Sequence, residues 1–241
     1  MPALLHKIDY ELFSPLPRQK RGNTVQEVQD LIRDAIVRME LPPGAFIDKI
    51  ALCERLGVSR FPVSEALARL ATEGLVEILP QRGTLVARIR LADVHESMFI
   101  RRALEAEAAR TLAKRDAPAL IAALQRNLRN LEDARLREDN DAFHAFDQEF
   151  HHLLIDAVGF ERVKLAVEAS RATLDRVRIA LCSPKRKRVT IAEYQAIVAA
   201  LIARDAAAAG RAMETHLDAV LTTLLALAAS YPDAFEGQDG K

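Results

Sequence analysis

"GVSRFPVSEALARLATEGLV", residues 57–76, decides how the first half of the chain is read. Gly57 permits the left-handed backbone that a sharp helix corner needs, and Ser59 can cap the helix that follows. Pro62 falls in the first turn of that helix, where a missing N–H costs little. Val63, Leu67 and Leu70 then share one side, while Phe61, Ser64 and Ala68 point away from it. Gly74 stops the run. The outward face offers small and polar groups beside Arg60, which suits a DNA groove but equally an ordinary surface, so the flanking sequence has to choose.

Upstream, a helix begins at Thr24, with Val25, Val28, Ile32, Ile36 and Met39 at helical spacing, and Leu41-Pro42-Pro43-Gly44 ends it. Ala45-Phe46-Ile47 is a short extended piece, and Asp48 can cap a second short helix over residues 49–56. Downstream, Val76-Glu77-Ile78 alternates, Pro80-Gln81-Arg82-Gly83 turns, and Thr84-Leu85-Val86-Ala87 returns as a hairpin. Helix, strand, helix, turn, helix, hairpin is the order of a winged helix-turn-helix.

In such a domain the start of the third helix enters the major groove. Arg60 is then a base or phosphate reader, Phe61 can contact a thymine methyl, and Ser64 can donate to a phosphate or base edge. Arg82 at the hairpin tip is placed to reach phosphate or the minor groove. Lys49, Arg55 and Ser59 are backbone candidates. The competing use of the same fold is protein contact.

Beyond Arg90 the strand signals vanish. Helices are expected at about 92–114, 118–137, 141–158, 161–181, 189–203 and 206–230, six apolar stripes joined by short links that can share one core. The expected architecture is mainly α: a flexible arm over 1–22, a winged helix-turn-helix with a small hairpin over 23–89, an all-α six-helix bundle for effector binding and dimerisation over 90–231, and a flexible tail over 232–241. Lys185-Arg186-Lys187-Arg188, after Ser183-Pro184, reads as a solvated loop rather than a second DNA contact.

Composition agrees. Hydrophobic residues make up 50% of the chain and aromatic ones 5%, with no tryptophan, which favours packed helices over sheets. Lys+Arg and Asp+Glu both total 34, so any nucleic-acid binding must rest on a local basic face. The two cysteines, Cys53 and Cys182, form neither a disulfide framework nor a thiolate zinc pattern, and a reducing cytoplasm fits. No secretory signal is evident, and the most apolar stretch, residues 219–229, is too short to cross a bilayer, so no membrane partner is expected.

In the helical half, Asp147 and His151 are four apart and share a helix face with His144, and His216 sits on the apolar side of the last helix. A carboxylate and imidazoles meeting in a bundle can hold a divalent metal; each histidine alone is equally a satisfied core residue. A di-iron enzyme would need two Glu-x-x-His motifs, and only Glu149 to His152 fits, so no catalytic residues are expected.

"LPPGAF", "CERLGVSRFPVSEALARLATEGLV" and "QRGTLVA" together resemble the DNA-binding domain of GntR-family bacterial transcription regulators. "FIRRALEAEAAR", "FDQEFHHLLIDAVG" and "AEYQAIVAALIARDAAAAGRAMETHL" resemble the FCD effector domain of the FadR subfamily, so the likeness spans residues 25–227. The family commonly has a threonine after the Ser-Arg pair, an arginine before Glu-Ala-Leu and a charged reader in the second helix. Here those places hold Phe61, Ser64 and Ile50, which implies a shallower salt dependence and a different operator.

The resemblance implies a homodimeric, cytoplasmic regulator of double-stranded operator DNA, by default a repressor released by a small organic-acid effector. It implies a divalent metal, zinc first and nickel or manganese as alternatives, on Asp147, His151 and His216. The family's remaining ligand histidine is Tyr194 here, a neutral phenol better suited to hydrogen-bonding effector or water. Arg101 occupies the family's Arg-x-x-Leu-Glu position and is the expected carboxylate clamp. Arg171 and Arg178 share a face and are candidates to line the same cavity, surface salt bridges being the alternative for both; His144 is a further candidate. A metalloenzyme and a sensor of the metal itself are the competing readings.

Overall fold

The computed structural model describes residues 8–16, 24–180 and 183–237, arranged as two compact units, one of residues up to Leu91 with the C-terminal segment from Ala228, the other Ala92–Leu227.

In the first unit the helices are α1 (Thr24–Val37), α2 (Lys49–Leu56) and α3 (Arg60–Thr72), with strands β1 (Phe46–Ile47), β2 (Val76–Leu79) and β3 (Gly83–Val86). The strands form an antiparallel sheet in the order β1-β3-β2, with Ile78 opposite Thr84 and Phe46 opposite Leu85. Helical spacing delivers Val28, Ile32 and Ile36 of α1, Leu52 and Leu56 of α2, and Val63, Leu67 and Leu70 of α3 to one core closed by Val76 and Val86 of the wing. Asp48 caps α2 as expected, its side chain accepting from the N–H of Ile50 at 2.8 Å and of Ala51 at 3.1 Å. Gly57 turns the corner at φ 67°, a left-handed value that favours glycine. Glu73, just past α3, accepts from Arg33 at 2.7 Å and from Gln29 at 2.7 Å, tying α3 to α1.

Two expectations fail here. The arm over 1–22 is not loose throughout: among its described residues, Ile8 and Phe13 are buried in the core, and Arg55 donates to the Phe13 carbonyl at 2.7 Å. Apolar burial and that bond hold residues 8–16, while the basic run at 18–21 lies outside the described residues. The tail is not loose at its start either. Residues 235–236 form β5 (Phe235–Glu236), which pairs in parallel with β4 (Ile89–Arg90), and Phe235 is buried.

The second unit is built from α4 (Leu91–Ala113), α5 (Pro118–Leu136), α6 (Asn140–Val158), α7 (Glu161–Ala180), α8 (Pro184–Ile202) and α9 (Ala206–Ser230). Five of the six match the sequence expectation to within one residue; α8 does not. The Lys185–Arg188 run belongs to its first turns, because Ser183 accepts from the N–H of Arg186 at 3.2 Å as N-cap and Pro184 takes the first helical position. Proline there starts a helix rather than breaking one. Lys187 is buried, bonded to Asn140 and 5.2 Å from the centre of the Phe143 ring. The whole of α9 is longer than residues 219–229 and by length and composition could cross a membrane. Its stripe of Ala209, Met213, Leu217 and Leu224 is instead buried in the protein. Gly210 lets it approach α4 closely: a Cβ there would stand 2.4 Å from Nε of Arg110.

Candidate functional site

The first candidate surface is the outer face of α3. Pro62, Val63, Ala66, Leu67 and Leu70 are buried, which leaves Arg60, Phe61, Ser64 and Ala68 exposed. Phe61 is 72% exposed and Ile50, at the start of α2, is 55% exposed, so two large apolar side chains stand in solvent where the family places polar readers. Arg82 is exposed in the turn before β3, and Lys49 is half-buried at the start of α2. Ser59 occupies the N-cap of α3 without a side-chain capping bond, so its hydroxyl is not spent on the helix. Arg55 is the exception among the expected contacts. It is paired with Glu11 at 2.7 Å and donates to two carbonyls of the N-terminal segment, so its guanidinium holds residues 11–13 rather than facing a duplex.

The second site is a buried polar centre in the helical unit. Helical periodicity places Arg101 and Glu105 on the inward stripe of α4, between Met98 and Ala109, and neither is more than 1% exposed. Arg101 Nε donates to Glu105 Oε1 at 2.6 Å. The other oxygen of Glu105 bonds Nδ1 of His151 on α6. Tyr194 of α8 donates its hydroxyl to Asp147 Oδ1 at 2.5 Å and lies 2.8 Å from His151 Nε2, while its ring stacks on Phe150 with centroids 3.8 Å apart. Arg171 of α7 approaches Asp147 Oδ2 at 3.8 Å. His216 of α9 meets Glu193 at 2.7 Å through Nδ1, and Arg186 grips the same carboxylate at 2.9 and 2.6 Å.

Burial disfavours the charged form of both imidazoles. Burial pushes His151 well below its ordinary value, with Glu105 opposing, and lowers His216 for the same reason against Glu193. Burial alone would raise Glu105, but the charges of Arg101 and Arg171 and the bond from His151 outweigh it and hold this carboxyl well below the usual range. A neutral His151 that donates its Nδ1–H to Glu105 turns the Nε2 lone pair toward Tyr194. The single phenolic proton therefore faces two acceptors, His151 and Asp147. Arg101 Nη2 is a buried donor with no hydrogen-bond partner, an arrangement that costs folding free energy unless something accepts from it.

The structure thus brings Arg101, Asp147, His151, Arg171, Tyr194 and His216 into one centre, the His216 ring centroid lying 4.8 Å from that of Tyr194. Arg102 points out to Asp218 at 3.0 Å. His144 is half-buried with Nε2 3.1 Å from the Gln148 amide. The Arg178 side chain lies outside the described residues. Glu105, Glu193 and Arg186 were missed as members of the centre; the spacing of Arg101 and Glu105 on an otherwise apolar stripe was the available signal. An open groove of about 330 Å³, lined by Leu112, Pro118, Ile121 and Leu201 among others, shares no residue with this centre.

The expected metal triad does not match what is built. Both imidazoles are oriented by a carboxylate on Nδ1, as metal-ligating histidines are. The point where Asp147 and His151 Nε2 converge, however, is taken by the Tyr194 hydroxyl, which bonds both. Among the described residues no group of three or more His, Cys, Asp or Glu side chains is disposed to hold an ion. As arranged, the set does not fit a divalent metal.

Comparison with known proteins agrees with this division. Residues 24–86 match the bacterial regulatory proteins of the gntR family, and residues 96–219 match the FCD domain. The chain is 34% identical over 85% of its length to an HTH-type transcriptional regulator in an unstable DNA locus of Streptomyces ambofaciens, covering 86% of that protein. It is 33% identical over 81% of its length to the HTH-type transcriptional repressor RspR of Escherichia coli, again covering 86% of the relative. A crystal structure of a GntR regulator from Rhodococcus, 24% identical, superposes over 85% of this chain and 99% of that one with a TM-score of 0.68, a likeness of fold. A regulatory rather than enzymatic role follows, and the chain belongs to the GntR family of bacterial transcriptional regulators, carrying an FCD domain behind its winged helix.

Proposed function

We propose that this chain is a homodimeric, cytoplasmic repressor whose operator affinity falls when a small organic acid docks on Arg101 in the helical unit. The repressor sense follows the E. coli relative named a transcriptional repressor. Two copies of α3, related by a two-fold axis, would read the half-sites of an approximately palindromic operator. Arg60 and Arg82 supply the cationic contacts there.

The observation that carries the effector reading is the unpartnered Nη2 of Arg101, a cation 1% exposed in a helical bundle. A carboxylate satisfies that donor and gains a charge-assisted bond to the guanidinium in a dry setting. No metal step enters, because Tyr194 stands at the convergence point. The acid can act only through different affinities for the DNA-competent arrangement and another. Fluorescence anisotropy of purified protein on the duplex upstream of its own gene, titrated with mono- and dicarboxylates, tests this. Release of the duplex by one acid class supports it; indifference to every acid, with calorimetry showing no binding, removes the sensing half.

A further inference from the structure

We propose that the operator is read chiefly through thymine methyl groups, with Phe61 as the main specificity-determining residue and Ile50 and Ala68 as its neighbours in the task. The inference rests on the DNA-binding reading above and concerns how the sequence is recognised. The outward stripe of α3 is Phe61, Ser64 and Ala68, at helical spacings of three and four. That stripe offers one aromatic ring, one hydroxyl and one methyl. Of the basic residues on α3, Arg69 is engaged by Glu65 at 3.2 Å, which leaves Arg60 at the tip.

A solvent-exposed phenylalanine offers apolar area that a partner can bury. Phe61, 72% exposed, stands in the first turn of the recognition helix, the part that meets base edges, and Ile50, 55% exposed, stands in the first turn of α2. Base pairs present hydrogen-bond donors and acceptors in the major groove and a single apolar group, the C5 methyl of thymine. Every pair presents polar edges that an aromatic ring cannot satisfy, and the thymine methyl is the apolar group that rewards its placement. The stripe therefore selects by burying methyls. Arg60, next to Phe61, anchors that end of the helix electrostatically.

The test isolates the methyl. The full chain is used to enrich its preferred duplex from a random-sequence pool, and each thymidine of that duplex is replaced singly by deoxyuridine, which removes the methyl and nothing else. Binding is measured by fluorescence anisotropy for the natural protein, Phe61→Ala and Ile50→Ala. Both replaced side chains are exposed, so the core is untouched, and circular dichroism checks the fold. One or two deoxyuridine positions per half-site should weaken the natural protein roughly fourfold each, the worth of one buried methyl. The same replacement should change Phe61→Ala or Ile50→Ala binding by less than about 1.5-fold. Equal binding of every deoxyuridine duplex by the natural protein overturns the inference, as does a methyl effect that persists in full in both variants. A chain that enriches no duplex at all overturns the DNA-binding reading beneath it, which is a different result.

Discussion

Replacing Glu105 by glutamine removes the carboxylate that two elements share: Arg101 Nε at 2.6 Å on its own helix and His151 across the bundle. Both members of the Arg101–Glu105 pair are 1% exposed, so solvent does little to screen what is lost. Breaking a buried pair from one side leaves an uncompensated charge and costs about 3–5 kcal/mol. The amide oxygen of glutamine still accepts from Arg101, which favours the lower end. For a unit spanning Ala92–Leu227, an unfolding entropy of about 2.1 cal/mol/K per residue turns that cost into a fall of roughly 10–17 °C in Tm. Scanning calorimetry at fixed protein concentration reads it directly. Arg101→Met combined with Glu105→Leu should recover most of the loss, because a well-packed apolar pair replaces a buried ionic one at little cost, while about 1–3 kcal/mol remains for the abandoned Nδ1 of His151. A Glu105→Gln protein melting within about 3 °C of the natural one would show that the centre is far wetter than its burial implies, and the reasoning would fail.

The same double variant should fold yet lose its response to carboxylates while keeping its affinity for DNA; calorimetric titration with an unchanged affinity would place the acid elsewhere. Arg60→Ala should weaken binding of the enriched duplex by about 1–3 kcal/mol without altering melting, and an unchanged anisotropy titration would remove its role. Tyr194→His should acquire a zinc site on Asp147, His151, His216 and the new imidazole, seen as roughly one zinc per chain by elemental analysis and a rise in Tm; equal zinc in the natural protein would show that the phenol does not exclude the ion. Phe13→Ala should cost about 3–5 kcal/mol in denaturant unfolding of the first unit, since Phe13 is 2% exposed, and a loose arm would show no change.

Much of the fold lies in local signals. Asp48, Gly57 and the alternation around Pro80 place the winged domain because caps, corners and hairpins are set by a few neighbouring residues. The helix limits of the second unit follow from apolar spacing and from breaks such as Gly159. Where local chemistry is double-edged, sequence reading goes astray. Ser183-Pro184 is both a break and a helix start, and the choice was made by Asn140 and Phe143, which receive Lys187 from a remote stretch of chain.

The functional centre divides the same way. Helical spacing alone places Asp147 with His151 and Arg101 with Glu105, because residues four apart meet on one helix whatever surrounds them. That Glu105 turns to His151, that Tyr194 inserts between His151 and Asp147, and that Arg55 is drawn to the N-terminal segment instead of to DNA are matters of which helix face lies against which. Periodicity specifies the face that must leave water; it carries no information on the partner that covers it, and only the packed chain supplies that.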